Sequence, residues 1–232
     1  MNSDSNPLRP EDTSTRERLR DGTLLDGWRA NPPPGVRLRS EAELEVSLAE
    51  VLRSHEATAD VHVFGCGSLM WNPALEYAQA LRARVHGWHR RFCMRVLLAR
   101  GSPQEPGAML ALDRGGACHG MLYRIAADKV ASELHLLWRR EMAAGSYDAR
   151  WVPVVAEGRT LRALAFVANR RHDRYIGHLP PEQVAQLICT GKGSLGTCRS
   201  YFDATLQALE TLGIKDAGME RLRRAVLRLD RR

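Results

Sequence analysis

The chain reads Val61-His62-Val63-Phe64-Gly65-Cys66-Gly67-Ser68-Leu69 at the point where its pattern changes from helix to strand. Residues 61–64 form a short apolar run typical of a strand, and the glycines that follow end it. Glycines leave backbone N–H groups uncovered, so such a turn can hold a carboxylate or an oxyanion. Most glycine-rich turns after strands are only turns, and this one lacks the glycine spacings of nucleotide-binding loops.

Further strands are predicted after this turn. Apolar residues alternate with polar ones over residues 81–85 and again over residues 92–96, which is the period of half-buried strands. Two hairpins are predicted further on, with turns at residues 113–116 and at Glu157-Gly158. The middle of the chain is therefore expected to be rich in β-structure.

Helices flank this β-rich region. Ser40 and Glu43 form a capping box that opens a helix running to Ser54. Three more helices are predicted after residue 169, over residues 180–191, 197–212 and 219–229. Residues 1–38 lack hydrophobic periodicity and contain three consecutive prolines, so we predict a partly disordered N-terminal arm followed by one domain over residues 39–232.

Charge and composition exclude several functions. The net charge is +7, from 34 basic and 27 acidic residues, but the arginines are dispersed and lack interleaved aromatic residues, so no nucleic-acid partner is expected. No apolar run approaches the roughly 18 residues that cross a bilayer, so no membrane partner is expected either. Residues 1–22 do not resemble a signal peptide, and the five cysteines form an odd, dispersed set. A cytoplasmic protein with free thiols is predicted.

The most informative helix is predicted over Asp128–Gly145. Four apolar residues mark its buried face: Val130, Leu134, Leu137 and Trp138. At about 100° per residue, Glu141 falls in the middle of that stripe. Because burying an ionised carboxylate is costly, either an arginine neutralises Glu141 or a pocket opens there and its raised pKa serves a reaction. Glu133, on the flank of the stripe, is expected to be solvated.

Other chemistry has less support. His86 and His89 face opposite sides of a predicted strand, and no second ligand pair exists, so no metal and no cofactor are expected. Cys66 could act as a nucleophile with a histidine, although the sequence places no histidine beside it.

Several stretches, in one order, resemble the ChaC-like glutathione-specific γ-glutamylcyclotransferases. The resemblance covers about residues 60–230 and leaves out the N-terminal arm. It is carried by six motifs: Val63-Phe64-Gly65-Cys66-Gly67-Ser68-Leu69-Met70-Trp71-Asn72-Pro73, Gly87-Trp88-His89-Arg90-Arg91-Phe92-Cys93, Arg140-Glu141-Met142, Gly145-Ser146-Tyr147, Gly196-Thr197-Cys198-Arg199-Ser200-Tyr201 and Leu212-Gly213-Ile214.

This resemblance implies an α+β fold, a small mixed β-barrel surrounded by helices. It implies cleavage of glutathione, a small-molecule substrate, into 5-oxoproline and Cys-Gly by attack of the substrate's own α-amine, with Glu141 as the general acid/base. It also implies eight substrate-binding residues: Phe64, Gly65, Cys66, Gly67, Ser68, Leu69, Tyr147 and Tyr175. It leaves the oligomeric state open.

One residue departs from the family pattern, because Cys66 stands where the family loop usually has a tyrosine. Any contact of that ring or hydroxyl is lost, which bears on rate and affinity more than on reaction type. The Cys66 thiol is either made acidic by the N–H groups of the loop or buried and inert. Two other functions stay open: cleavage of other γ-glutamyl compounds, and non-catalytic sensing of a small anion.

Overall fold

The fold is built on a closed five-stranded β-barrel, seen in a computed structural model that describes residues 14–231. A separate two-stranded hairpin lies outside the barrel. In chain order the strands are β1 (Val61–Gly65), β2 (Gln79–Val96), β3 (Gly107–Ile125), β4 (Tyr147–Ala156), β5 (Arg159–Ala168), and the hairpin strands β6 (Lys192–Gly193) and β7 (Gly196–Thr197).

Helices surround the barrel and confirm the predicted α+β class. In chain order they are α1 (Ser14–Arg20), α2 (Thr23–Ala30), α3 (Glu41–Leu52), α4 (Ser68–Trp71), α5 (Val130–Leu137), α6 (Pro181–Thr190), α7 (Cys198–Thr211) and α8 (Ala217–Leu229). A π-helical turn, Trp138–Met142, continues α5. None of the helices in residues 14–231 combines the length and apolar character needed to span a membrane.

The barrel closes through β5. The strand order is β1-β3-β2-β4-β5, and β5 pairs in parallel with β1, with Val63 opposite Leu164. The other neighbours along this order are antiparallel, and β4 and β5 form the hairpin predicted around Glu157-Gly158. Because β1 belongs to the barrel, the glycine turn that follows it opens at the barrel's end.

The hairpin predicted around residues 113–116 is wrong. Gly115 and Gly116 lie within one continuous strand, β3, which pairs with β2 along almost its whole length. His86 pairs with Ala117 and Trp88 pairs with Arg114, so Gly87 alone faces both glycines. All three glycines have positive φ, which produces a β-bulge that bends the long hairpin instead of ending a strand.

The arm is more structured than predicted. Residues 1–13 lie outside the described part of the chain, but α1 and α2 follow and bury three leucines: Leu19, Leu24 and Leu25. Trp28 Nε1 donates a hydrogen bond to Ser194 Oγ at 3.2 Å. The sequence offered no sign of these two helices, because they are short and depend on contacts with the rest of the chain. The division into an arm and a domain at residue 39 remains a prediction.

Glu133 anchors the arm, contrary to the expectation that it is solvated. Its side chain is 3% exposed and pairs with Arg16 at 2.6 Å. It also accepts a hydrogen bond from the Glu76 N–H at 2.8 Å. Burial alone would raise the pKa of Glu133, but the bonds from Arg16 and Glu76 outweigh burial and lower the pKa. The sequence offered no sign of this pair because its members are 117 residues apart.

Candidate active site

Two adjoining cavities lie at the end of the barrel where β1 runs into its glycine turn. The inner chamber, of about 50 Å³, is lined by Phe64, Cys66, Gly67, Ser68, Leu69, Met109, Leu110, Ala111, Glu141, Tyr147, Phe166 and Tyr201. The outer cavity, of about 220 Å³, shares Glu141, Ser68 and Tyr147 with it. The arm supplies part of the outer wall through Leu19, Leu24 and Trp28. The arm, the barrel and the helices thus form one cleft.

Glu141 lies at the junction of the two cavities. It belongs to the π-helical turn after α5, and its side chain is 14% exposed. Burial raises the pKa of Glu141, and the charge of Arg140 lowers it in part. Such turns insert an extra residue into a helix and are frequent at functional sites. A carboxyl group with a raised pKa is better suited to accept and return a proton near neutral pH.

Arg140 connects Glu141 to the glycine turn. Its Nε lies 3.1 Å from Glu141 Oε1, its Nη2 donates to Ser68 Oγ at 2.8 Å, and its Nη1 donates to Asn72 O at 2.7 Å. The two alternatives left open by the sequence, an ion pair and a pocket, therefore both occur at Glu141. Arg140 precedes Glu141 in the sequence, but that position does not reveal its bonds to the turn.

The glycine turn forms part of the wall of the inner chamber. A Cβ atom on Gly65 would lie 2.6 Å from Leu69 Cβ, so the tight turn requires glycine there. The turn leads directly into α4, and the first N–H groups of a helix have no partner within the helix. Among residues 14–231 no group of three or more His, Cys, Asp or Glu side chains could hold a metal ion.

Two tyrosines complete the inner chamber. Tyr147 Oη donates a hydrogen bond to Leu110 O at 3.1 Å, and burial together with the nearby Glu141 charge raises its pKa. Tyr201 is 3% exposed and packs edge-to-face against Trp71. Tyr201 belongs to a C-terminal motif of the family resemblance, but the sequence gives no sign that it lines the site, because a single aromatic residue in a helix is typical of the core.

Six of the eight predicted substrate-binding residues line the inner chamber, and two do not. Gly65 lies within the turn but does not line the chamber. Tyr175 lines neither cavity, and its hydroxyl donates to Asp113 Oδ2 at 2.8 Å. Asp113 is 1% exposed and also pairs with Arg170 at 2.6 Å. The geometry gives Tyr175 a place in a polar cluster around the buried Asp113, and a contact with substrate rests on the resemblance alone.

The surroundings of Cys66 support the alternative in which its thiol is buried and inert. It is 8% exposed and packs in the main core cluster. A hydrogen bond with Cys118 and burial both raise the pKa of the Cys66 thiol. Its carbonyl accepts a hydrogen bond from Arg90 Nε at 2.6 Å, which fixes the turn. All five cysteines are free.

Comparison with known proteins extends these observations. The ChaC-like protein family model matches residues 61–229. The "Glutathione-specific gamma-glutamylcyclotransferase" of Escherichia coli (strain K12) is 39% identical over 193 residues, covering 83% of this chain and 84% of that protein. The human "Glutathione-specific gamma-glutamylcyclotransferase 1" is 34% identical over 144 residues, covering 60% of this chain and 65% of that protein.

The fold also has a relative among solved structures. The crystal structure of a γ-glutamylcyclotransferase specific to glutathione from yeast superposes with a TM-score of 0.69 at 20% identity, covering 73% of this chain and 96% of that one. This likeness confirms the predicted barrel fold. The family match over residues 61–229 and the 39% identity to the E. coli protein show that this chain belongs to the ChaC-like family.

Proposed function

We propose that this protein is a γ-glutamylcyclotransferase that cleaves glutathione into 5-oxoproline and Cys-Gly. One observation carries the proposal: Glu141, 14% exposed and with a raised pKa, lines a chamber of about 50 Å³ together with residues of the glycine turn. A proton acceptor and the glycine turn thus line one small space. The names of the E. coli and human relatives support glutathione as the substrate.

The proposed reaction is an intramolecular attack. The substrate's α-amine loses a proton to the Glu141 carboxylate, and its nitrogen bonds to the γ-carbonyl carbon. The tetrahedral intermediate then collapses, the bond to the cysteine nitrogen breaks, and Glu141 returns the proton to that nitrogen. No water is consumed. Holding the amine against the carbonyl supplies roughly 7 kcal/mol or more of the barrier.

The glycine turn is proposed to stabilise charge during this reaction. The inner chamber is lined by Cys66, Gly67, Ser68 and Leu69, at the start of α4. Backbone N–H groups there suit the oxyanion on the γ-carbonyl or the substrate's α-carboxylate. Arg140 helps to position both sides of the chamber, because it bonds to Ser68 and to Glu141.

Incubation of the purified protein with glutathione tests the function. Equal amounts of 5-oxoproline and Cys-Gly are expected, and free glutamate in place of 5-oxoproline would indicate hydrolysis instead. Saturable binding without any product would favour the anion-sensor alternative.

A second substrate class is favoured by the apolar outer wall, where Leu19, Leu24 and Trp28 leave room for larger side chains. A panel of γ-glutamyl amino acids therefore belongs in the same experiment.

We further propose a cytoplasmic location, because the five free thiols suit a reducing compartment.

A further inference from the structure

Arg174 is a buried cation at the edge of the outer cavity, and no carboxylate within residues 14–231 forms a salt bridge with it. Its residue is 7% exposed, and it lines the cavity together with Ala143, Ala144 and Tyr147. Its Nε is buried and has no hydrogen-bond partner among the described residues. Its Nη2 donates to Ala144 O at 3.1 Å and lies 3.5 Å from His172 Nε2. The Ala144 carbonyl satisfies part of the bonding of the guanidinium but does not compensate its charge.

The surroundings of Arg174 differ from those of other arginines in the outer cavity. Arg140 is paired with Glu141, and Arg100 donates to Ser200 Oγ at 3.0 Å. Arg95 is exposed, so solvent screens its charge. Burial lowers the pKa of Arg174, and the charge of its chain neighbour Asp173 offsets that effect only in part. An unpaired buried charge is costly, and an anion in the cavity would offset that cost.

The position of Arg174 indicates which anion it meets. Under the proposed function, the substrate's α-amine must reach Glu141, and the α-carboxylate shares a carbon atom with that amine. The γ-glutamyl end must also meet the glycine turn, so it lies where Glu141 and the turn line the inner chamber together, and Arg174 does not line this chamber. It lines only the outer cavity, where the Cys-Gly portion must extend. A planar guanidinium is well suited to a carboxylate.

We infer that Arg174 binds the C-terminal carboxylate of the leaving fragment, the glycine carboxylate when the substrate is glutathione. This inference rests on the proposed function and names the residue that makes the cleft selective for a γ-glutamyl peptide ending in a free carboxylate. The ion pair forms on binding, so it compensates a charge that the free protein leaves unpaired.

The test compares two substrates that differ only at the glycine end: glutathione, and glutathione with the glycine carboxylate replaced by a primary amide. The wild-type protein should cleave glutathione with a kcat/KM about 10- to 100-fold higher than that of the amide. In Arg174→Met this ratio should fall to within about twofold of unity, because the partner of the carboxylate is gone. Arg174→Lys keeps the charge without the planar fork and should give an intermediate ratio.

A matched control separates a specific ion pair with Arg174 from general electrostatic attraction of the carboxylate to basic residues. Arg171 lies in the same loop and is exposed, so Arg171→Met removes the same charge three positions away. This variant should keep the wild-type ratio between the two substrates. Thermal unfolding of each variant establishes that the fold is intact, and Arg174→Gln replaces Arg174→Met if the latter does not fold.

Two results would overturn the inference. The first is a wild-type protein that cleaves the amide as well as glutathione, an outcome that requires no variant. The second is a folded Arg174→Met or Arg174→Gln that retains the wild-type ratio, or loses activity equally toward both substrates. Failure of the proposed function looks different, since neither substrate would then yield 5-oxoproline with any form of the protein.

Discussion

Glu141 experiences two opposing influences, burial that raises its pKa and the charge of Arg140 that lowers it. We expect Glu141→Gln to lower kcat at least about 100-fold, because the amide cannot accept a proton. The fold should be retained. Folding raises the pKa of Glu141, so its ionised form costs stability above that pKa, and a neutral amide carries no such cost. Arg140 also keeps its bonds to Ser68 and Asn72.

Steady-state kinetics and thermal unfolding of Glu141→Gln check this expectation together. Glu45 is an exposed residue of α3, so Glu45→Gln makes the same chemical change away from the cleft and should behave like the wild type. A Glu141→Gln protein that melts far below the wild type yet keeps substantial turnover per folded molecule would make Glu141 a structural residue.

The pH dependence of kcat/KM should report Glu141 directly. The carboxyl group must be ionised to accept a proton, so activity is lost as the pH falls through its pKa. Because burial raises that pKa, the midpoint of the acid limb should lie above the ordinary glutamate value of about 4.3. Arg140→Met removes the influence that lowers the pKa and should move the midpoint to higher pH, whatever its effect on rate.

The measurement is a pH–rate profile of the wild type and of Arg140→Met over the acid range. An acid limb at or below the ordinary glutamate value, or one that does not move in Arg140→Met, would show that Glu141 is not the group whose ionisation controls the reaction.

The bulge between β2 and β3 shows where element boundaries could not be inferred from sequence. A glycine pair after an aspartate predicts a turn, but here Gly115 and Gly116 face Gly87 across a continuous ladder. Pattern alone does not distinguish a bulge from a turn, because both use positive φ. The hairpin at Glu157-Gly158 and helices α3, α6, α7 and α8 were predictable because their caps and turns are local in sequence.

A pair of glycine substitutions tests the bulge. A Cβ atom at Gly87 or at Gly27 would have nothing within 4 Å, so neither Ala causes a clash. Gly87 has a φ of 79°, and Gly87→Ala should lower the free energy of unfolding by about 1 kcal/mol. Gly27 lies inside α2, and Gly27→Ala should raise the free energy of unfolding by about 0.5–1 kcal/mol. Urea unfolding measures both, and changes of the same sign would contradict the assignment of the bulge.

The candidate site was predictable only where its features are local in the sequence. Glu141 was found because one carboxylate interrupts an apolar helical stripe, and the glycine turn because its residues are consecutive. Arg174 and the Arg16–Glu133 pair were not, since their roles depend on segments brought together only by the closed barrel and the docked arm. Tyr175 was included by resemblance, and the structure places its hydroxyl on Asp113.

The arm packs against the rest of the molecule, and the Arg16–Glu133 pair is a buried polar link between α1 and α5. Arg16→Met should lower the free energy of unfolding by about 2 kcal/mol or more, because it leaves the Glu133 carboxylate buried with only a backbone donor. Arg18 is exposed on the same helix, and Arg18→Met should change the free energy of unfolding by less than about 0.5 kcal/mol. Chemical denaturation compares the two, and equal losses would mean that the arm is not held by this pair.

The cleft as a whole has one central purpose in the proposed function, which is to bring the substrate's own amine to its γ-carbonyl. The most direct test supplies the protein with glutathione and with N-acetylglutathione, and identifies the products by mass spectrometry. Glutathione should yield 5-oxoproline and Cys-Gly, whereas N-acetylglutathione should stay intact because its blocked nitrogen cannot attack. Release of N-acetylglutamate and Cys-Gly at a comparable rate would show that water, and not the α-amine, cleaves the bond.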